Sequence, residues 1–295
     1  MIGKLEMLIA LAREKHFGRA AESLGITQPS LSTGLKQLEA YLGVKLVQRG
    51  ARFGGLTPEG QRALVAARRI TADARRLRDE MRASRLGLSG QVRLAVIPTA
   101  LTWASRLATG FTARHPNVGF TILSRSSQEV LTMIETMEAD IGLSYLDNEP
   151  LGRVTRVVLY REAYTLVCRR DHPLAAQGGL GWSDLAGVRL CLLTQDMQNR
   201  RIINRNFMEA GIAPPSPIES NSTVVLVSNV AEGGWVTILP TDMAAFLAAG
   251  HDLAIVPLQG GVPAHSVGLV APQQEPQTPV LEALMEHGRT LAINS

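Results

Sequence analysis

The chain has 295 residues, of which 45% are hydrophobic and 19% charged, so it is long enough for two or three domains that each bury a core. No run of about eighteen uncharged apolar residues is present, and Lys4, Glu6, Arg13 and Glu14 stand where a secretory signal would be apolar. These features predict a cytoplasmic protein and argue against secretion and membrane spanning.

The positive charge is concentrated in the first third of the chain. Residues 1–90 contain 16 Lys and Arg against 8 Asp and Glu, a net charge of +8, whereas the formal net charge of the whole chain is +4. The remaining residues therefore carry a net charge of −4. A module that neutralises DNA phosphates needs such a surplus, although a solvated basic face would show it too.

Residues 17–42, FGRAAESLGITQPSLSTGLKQLEAYL, have the pattern of two short amphipathic helices joined by a tight turn. Gly25 allows the turn, Thr27 can cap the second helix, and Pro29 suits its first turn. The apolar residues of the segment are predicted to face inward: Ala20, Ala21, Leu24, Leu31, Leu35, Leu38 and Leu42.

This pattern is typical of a helix-turn-helix, whose second helix reads the major groove of DNA. Paired amphipathic helices also occur in bundles that bind no nucleic acid, and the basic charge of this end favours DNA. The residues predicted to contact base edges and phosphates are Gln28, Pro29, Ser30, Ser32, Thr33 and Lys36.

A wing and a long helix are predicted next. Residues 44–56 alternate apolar and basic residues around glycines, as a two-stranded wing does, so Arg49 and Arg52 are expected to reach phosphates or the minor groove. Thr57 and Pro58 then predict the start of a helix that runs to about residue 87. Its apolar residues recur at three- and four-residue spacing, which predicts packing against a second copy in a dimer: Leu64, Ala67, Ile70, Ala74, Leu77 and Met81.

Residues 91–295 alternate strand-like and helix-like segments, which predicts an open, largely parallel α/β sheet. The alternation begins again after Gly152, so two lobes with a cleft between them are expected. The predicted boundaries are 1–58 for the DNA-binding domain, 59–88 for the linker helix and 91–295 for the two-lobed domain. Lobe I takes about 91–161 and 266–295, and lobe II about 162–265.

No catalytic or metal site is predicted. The six histidines are scattered without metal-ligand spacing, no phosphate-binding glycine motif occurs, and no nucleophile is paired with a base. Cys168 and Cys191 lie in apolar runs and are expected to be core thiols. Two rival classes share the lobes, a solute-binding protein and an enzyme, but neither accounts for residues 17–60.

Residues 17–60, FGRAAESLGITQPSLSTGLKQLEAYLGVKLVQRGARFGGLTPEG, resemble the LysR-type transcriptional regulators. That family has the pattern SF-x-x-AA-x-x-L-x-x-(S/T)QP-(A/S)-(L/V)-S-x-x-(I/L)-x-x-LE-x-x-LG-x-x-LF-x-R…LT-x-x-G. The resemblance covers essentially the whole chain. It implies a winged helix-turn-helix, a dimerising linker helix and an effector domain folded like the type 2 periplasmic binding proteins, hence an α/β protein without a cofactor.

Three residues depart from the family pattern. His16 stands where the family usually has Ser, Thr33 where Arg is common, and Val47 where Phe is usual. Thr33 is expected to give up one guanidinium contact to base or backbone, and Val47 is expected to be a smaller core residue.

The resemblance also implies an effector site in the cleft. Hydroxyls and free N–H groups at helix N-termini favour an anion, and an arginine can pair with a carboxylate, so the expected inducer is a small carboxylate. The candidate residues are Thr99, Ser126 and Ser127 in lobe I and Thr194, Arg200, Arg201, Asn221, Ser222 and Thr223 in lobe II. Trp235 replaces a family glycine, and either narrowing of the cleft or filling of core volume would explain it.

The family mechanism gives the final expectation. A dimer, assembled into a homotetramer, binds a dyad-symmetric promoter site and bends it, and the inducer relaxes the bend for RNA polymerase. The sequence names neither the inducer nor the target genes.

Overall fold

The computed structural model describes residues 1–49, 53–147, 151–273 and 277–293. The chain forms two compact units. Unit 1 comprises Met1–Leu88 with Glu135–Glu138, and unit 2 comprises Ser89–Ile134 with Ala139–Ser295.

Unit 1 contains three short helices, a hairpin and one long helix. In chain order these are α1 (Ile2–Glu14), α2 (Phe17–Ser23), α3 (Gln28–Leu42), β1 (Val47–Arg49), β2 (Phe53–Leu56) and α4 (Pro58–Leu86). The strands β1 and β2 pair antiparallel, which confirms the predicted wing. The core is aliphatic and draws on every helix, with Leu8, Ala20, Leu31, Leu35 and Ala67 all fully buried.

The turn between α2 and α3 follows the local sequence. Gly25 has a φ of +66°, a conformation that glycine adopts without a steric penalty. Thr27 Oγ1 then accepts a hydrogen bond from the Ser30 N–H at 3.3 Å. The inward prediction is wrong for Leu42, which is 42% exposed, because α3 ends there and its last turn extends past the core.

Unit 2 contains two lobes, each built on its own sheet. The sheet of lobe I has the strand order β4-β3-β5-β13-β6. Its elements are β3 (Gly90–Val96), α5 (Leu101–Arg114), β4 (Val118–Ser124), α6 (Ser127–Glu135), β5 (Ile141–Tyr145), β6 (Val154–Arg161), β13 (Ser266–Pro272) and α10 (Pro279–Ile293).

Lobe II has a four-stranded sheet, β11-β7-β12-β8, and a separate parallel pair of β9 and β10. Its elements are β7 (Tyr164–Arg169), β8 (Leu180–Gly181), β9 (Cys191–Leu193), α7 (Gln198–Glu209), β10 (Ile218–Ser220), α8 (Thr223–Glu232), β11 (Thr237–Pro240), α9 (Thr241–Ala248) and β12 (Leu253–Gln259). The chain crosses between the lobes twice, after β6 and before β13.

The two-lobed α/β fold was predicted, but the sheets are less parallel than expected. Among the strands described, only β3 pairs parallel with both of its neighbours, β4 and β5. The returning strand β13 runs antiparallel to β5 and β6, and β7 runs antiparallel to β11 and β12. No strand was predicted from the sequence at β6, β8 or β12, and the antiparallel pairs involve β11 and β13 as well as β6 and β12.

Candidate DNA-binding surface and effector cleft

The helix α3 presents one polar face to solvent. Gln28, Pro29, Ser30, Thr33 and Lys36 are exposed, and Ser32 is half-buried. The opposite face packs into the core through Leu31, Leu35 and Leu38. The predicted DNA-binding residues of this helix therefore share an accessible surface, with one hydroxyl partly engaged because Ser30 Oγ lies 2.9 Å from Thr27 Oγ1.

The entrance to the helix-turn-helix is capped by His16. Its Nδ1 accepts hydrogen bonds from the Gly18 N–H at 3.1 Å and the Arg19 N–H at 3.3 Å. A serine oxygen does the same at many helix starts, so this departure from the family pattern preserves the cap. The geometry requires Nδ1 to be unprotonated.

The wing is tied to α3 by a buried carboxylate. Glu39 Oε1 accepts from the Leu46 N–H at 3.0 Å and the Val47 N–H at 3.3 Å. Val47 is buried, as predicted. The side chain of Arg49 and the whole of Arg52 lie outside the described residues, so their predicted contacts with DNA remain predictions.

In lobe I, the candidate effector residues follow two adjacent parallel strands. Thr99 lies after β3, at the turn into α5, and Ser126 and Ser127 lie after β4, at the start of α6. This carboxyl edge is where open α/β sheets bind ligands. Ser126 caps the helix that follows it, because its N–H and Oγ both donate to Glu129 Oε2, at 2.9 and 2.8 Å.

In lobe II, the candidates follow the parallel pair β9 and β10. Thr194 lies directly after β9, and its N–H donates to the Ser220 carbonyl at 3.2 Å. Ser222 and Thr223 begin α8, where the Ser222 side chain makes no capping bond within the described chain. The edge of each lobe thus carries hydroxyl groups beside helix N-termini.

The two arginines differ in what they contact. Arg200 is 5% exposed, and its guanidinium donates to Glu219, the Leu193 carbonyl, Ser216 and Asn204, at 2.8–3.0 Å. These partners fix it inside lobe II, so the expected pairing of Arg200 with a ligand carboxylate is replaced by a structural role. Arg201 is exposed and donates to Gln198 and the Asp196 carbonyl.

Two buried polar groups in this domain were not predicted from the sequence. Asn199 is 2% exposed in the first turn of α7, and within the described residues neither Oδ1 nor Nδ2 has a hydrogen-bond partner. Glu162 is buried where the chain first crosses between the lobes. Neither position showed a sequence signal, because Asn199 stands in the polar run of residues 198–201 and Glu162 follows Arg161, and such polar positions usually lie at the surface.

Both cysteines are buried, as predicted. Burial raises the pKa of each thiol, Cys168 and Cys191, to about 11. A reactive cysteine is exposed and has a lowered pKa, so these two have the properties of core residues.

Trp235 lies beyond the C-terminal end of α8, the end opposite Ser222. Its ring packs against the core of lobe II and is covered by the Arg189 guanidinium at 4.8 Å, a cation–π contact. It also lines a surface pocket of about 430 Å³ together with Arg169, Asp171, His172, Pro173, Glu232, Gly233 and Gly234. Trp235 thus fills volume in lobe II.

Within the described residues, none of the helices combines the length and apolar character needed for a transmembrane segment. No cluster of three or more His, Cys, Asp or Glu side chains is arranged to hold a metal ion in the described part.

Comparison with known proteins matches both units. The model of the bacterial regulatory helix-turn-helix protein, lysR family, matches residues 2–61, and that of the LysR substrate binding domain matches residues 85–292. The HTH-type transcriptional regulator YfeR of Shigella flexneri is 30% identical over 85% of this chain and 82% of its own. A probable hydrogen peroxide-inducible genes activator of Mycobacterium avium is also 30% identical, over 91% and 87%.

Among solved structures, a full-length OxyR variant from Pseudomonas aeruginosa superposes with a TM-score of 0.73 at 25% identity, covering 98% of this chain and 94% of that one. The fold and the exposed recognition helix define a DNA-binding regulator with an effector-binding domain. The chain belongs to the LysR family of transcriptional regulators.

Proposed function

We propose that this regulator reads a dyad-symmetric promoter site and that a small anionic metabolite in the cleft between the lobes changes how it holds that site. The observation that carries the proposal is the exposed polar face of α3, in a unit with a surplus of basic residues. Polar side chains on such a helix discriminate base pairs in the major groove, and the basic surplus supplies affinity for phosphates. The protein acts in the cytoplasm, where the DNA is.

Dimerisation through α4 supplies the symmetry. Ile70, Leu77 and Met81 are each about half exposed on this helix, and their spacing of seven and four residues places them on one face. A second copy of the chain covers that face in the proposal. Two paired recognition helices then meet half-sites about one turn of DNA apart, and contacts between effector domains extend the dimer to a homotetramer.

An anionic effector is supported by the edges of the two lobes. The helices α6 and α8 begin there, and their N-termini attract negative charge. Thr194 Oγ1 is buried without a hydrogen-bond partner among the residues described. With Arg200 held inside lobe II, the groups proposed to contact a carboxylate are the N–H groups and hydroxyls at these edges and the exposed side chain of Arg201.

The ligand must bind one arrangement of the regulator better than the other to change its output. We expect footprints and DNA bending on the upstream region to change when the correct small organic acid is added, which gives RNA polymerase access. Thermal-shift screening of organic acids identifies candidates, and footprinting with each hit tests them. A hit that stabilises the protein and leaves both footprint and bend unchanged contradicts the coupling.

A further inference from the structure

Glu162 occupies the first connection between the lobes and contacts the second. It lies between β6 and β7, and its N–H donates to the His265 carbonyl at 2.9 Å. His265 directly precedes β13, where the chain returns to lobe I. The backbone of this one residue therefore joins both crossings.

The Glu162 side chain also bonds to both lobes. Its Oε2 accepts from the Tyr145 hydroxyl at 2.7 Å and from the Tyr164 hydroxyl at 2.5 Å. Tyr145 ends β5 in lobe I, and Tyr164 begins β7 in lobe II. A single carboxyl oxygen thus links the end of β5 in lobe I to the start of β7 in lobe II.

In the described part of the structure, the other carboxyl oxygen of Glu162 lacks the hydrogen-bond donors or cation that would stabilise an ionised carboxylate. The residue is 1% exposed, and Oε1 has no hydrogen-bond partner among the described residues. No ion pair in that part of the chain includes Glu162. Burying an unpaired carboxylate is costly, so such a group binds a proton instead.

The surrounding groups do not supply a compensating charge. Tyr160, which stacks on Trp103 at 4.6 Å, and the two bonded tyrosines all have pKa values raised well above the usual range, chiefly by burial. Asp242 and Arg106, of opposite charge, act on Tyr160 from α9 and α5. Thr99 Oγ1 lies buried near Tyr145 without a hydrogen bond of normal geometry in the described structure.

One other titratable ring faces the cluster. His265 lies 6.5 Å from the Tyr145 ring, and burial lowers its pKa, with Asp147 and Arg205 acting on it in opposite directions. It therefore changes charge below pH 6.5. Burial raises the pKa of Glu162 from 4.5 to about 7, against the lowering effect of the two tyrosine hydrogen bonds.

We propose that Glu162, Tyr145 and Tyr164 form a proton-binding site at the junction of the lobes, and that its occupancy sets how tightly the lobes close. The neutral carboxyl tolerates burial between the two tyrosines. The ionised carboxylate needs water at Oε1, which favours a more open junction. This device is independent of which effector the cleft takes and of which DNA site the protein reads.

Infrared spectroscopy of the full-length protein tests the proton site. We expect the band of a protonated buried carboxylic acid to be present at pH 6 and lost by pH 8, and to be missing in Glu162→Gln. Tyr164→Phe provides a second variant, because loss of one hydrogen bond to the carboxylate moves the midpoint to higher pH. Absence of the band from the wild type at pH 6, or a band that neither variant alters, overturns the proposal.

Hydrogen exchange, corrected for the chemical effect of pH, tests the link to lobe closure. In the wild type, we expect the amides of residues 161–164 and 264–266 to exchange severalfold faster at pH 8 than at pH 6. Glu162→Gln should show equal rates, and the exposed-carboxylate control Glu232→Gln should behave like the wild type. A protonated Glu162 with equal wild-type rates at both pH values overturns the coupling to closure.

Discussion

Gln28 lies in the first turn of α3 with its side chain exposed, and we propose that its amide forms paired hydrogen bonds with a base. Replacing it by Ala should weaken binding to the specific site by about 1–3 kcal/mol. Binding to scrambled duplex should change little, since that binding depends on phosphate contacts. Fluorescence anisotropy with both duplexes measures the difference.

Gln61 provides the matched control for this substitution. It is exposed in α4, outside the recognition helix. Gln61→Ala should leave the preference for the specific site intact. An equal loss on both duplexes after Gln28→Ala would show that Gln28 does not read sequence.

Glu162 makes the stability of unit 2 depend on pH. Because burial raises its pKa to about 7 in the folded chain, folding favours the protonated form. The contribution is complete below pH 4.5 and is lost as the pH rises through about 7. Between pH 6 and pH 8 it falls by about 1 kcal/mol, so urea unfolding should show wild type losing that much more stability than Glu162→Gln over this interval. Equal losses in the two proteins contradict this assignment.

The close approach of α4 to the chain before the wing requires a glycine at position 60, the last residue of the motif. A Cβ added to Gly60 would lie 2.0 Å from the Leu46 carbonyl oxygen, which is backbone and cannot move aside freely. Gly60→Ala should therefore separate α4 from the wing and destabilise unit 1 by about 1–3 kcal/mol.

Gly3→Ala is the matched control, since Gly3 lies in α1 with nothing within 4 Å of its added Cβ. Thermal unfolding of the full chain should show a lower transition for Gly60→Ala alone. Equal transitions for the two variants would mean that α4 and the wing do not meet as the structure has them.

The apolar face of α4 is the element predicted to join two copies of the chain. Leu77→Glu places a charge in that interface and should shift the protein from dimer towards monomer in sedimentation analysis. Val65 is 64% exposed on the same helix, about a third of a turn from Leu77 around the axis, so Val65→Glu should leave the dimer intact. If both variants dissociate the dimer, or if neither does, the proposed dimer interface is contradicted.

Helix starts and tight turns could be predicted from the sequence, because capping residues, glycines and prolines act within a few residues of their own position. The caps Thr27 and Thr57 bond to the third residue of each following helix, and glycine and proline positions define the turn before α3. By contrast, β12 exists through pairing with β7, a strand about ninety residues earlier. The edge strand β6 likewise depends on β13, and no local pattern carries such long-range register.

For the molecule as a whole, the sequence predicted the class of protein better than the roles of single residues. The motif of residues 17–60 predicted a shared polar surface, because those side chains lie on one helix. The proposed effector site draws on several strand ends, so neighbouring side chains decide the role of each residue. Arg200 illustrates this, since Glu219 and Ser216 bind the guanidinium that was expected to face a ligand.

The proposed function requires that unit 1 bind DNA in a sequence-specific way. The direct measurement is competitive anisotropy of the full-length protein at moderate salt, with duplex from its own upstream region against a scrambled duplex of equal length. We expect at least about a thousandfold preference for the upstream duplex, which is the lower end of the range for specific DNA-binding proteins. Equal affinity for the two duplexes would contradict it.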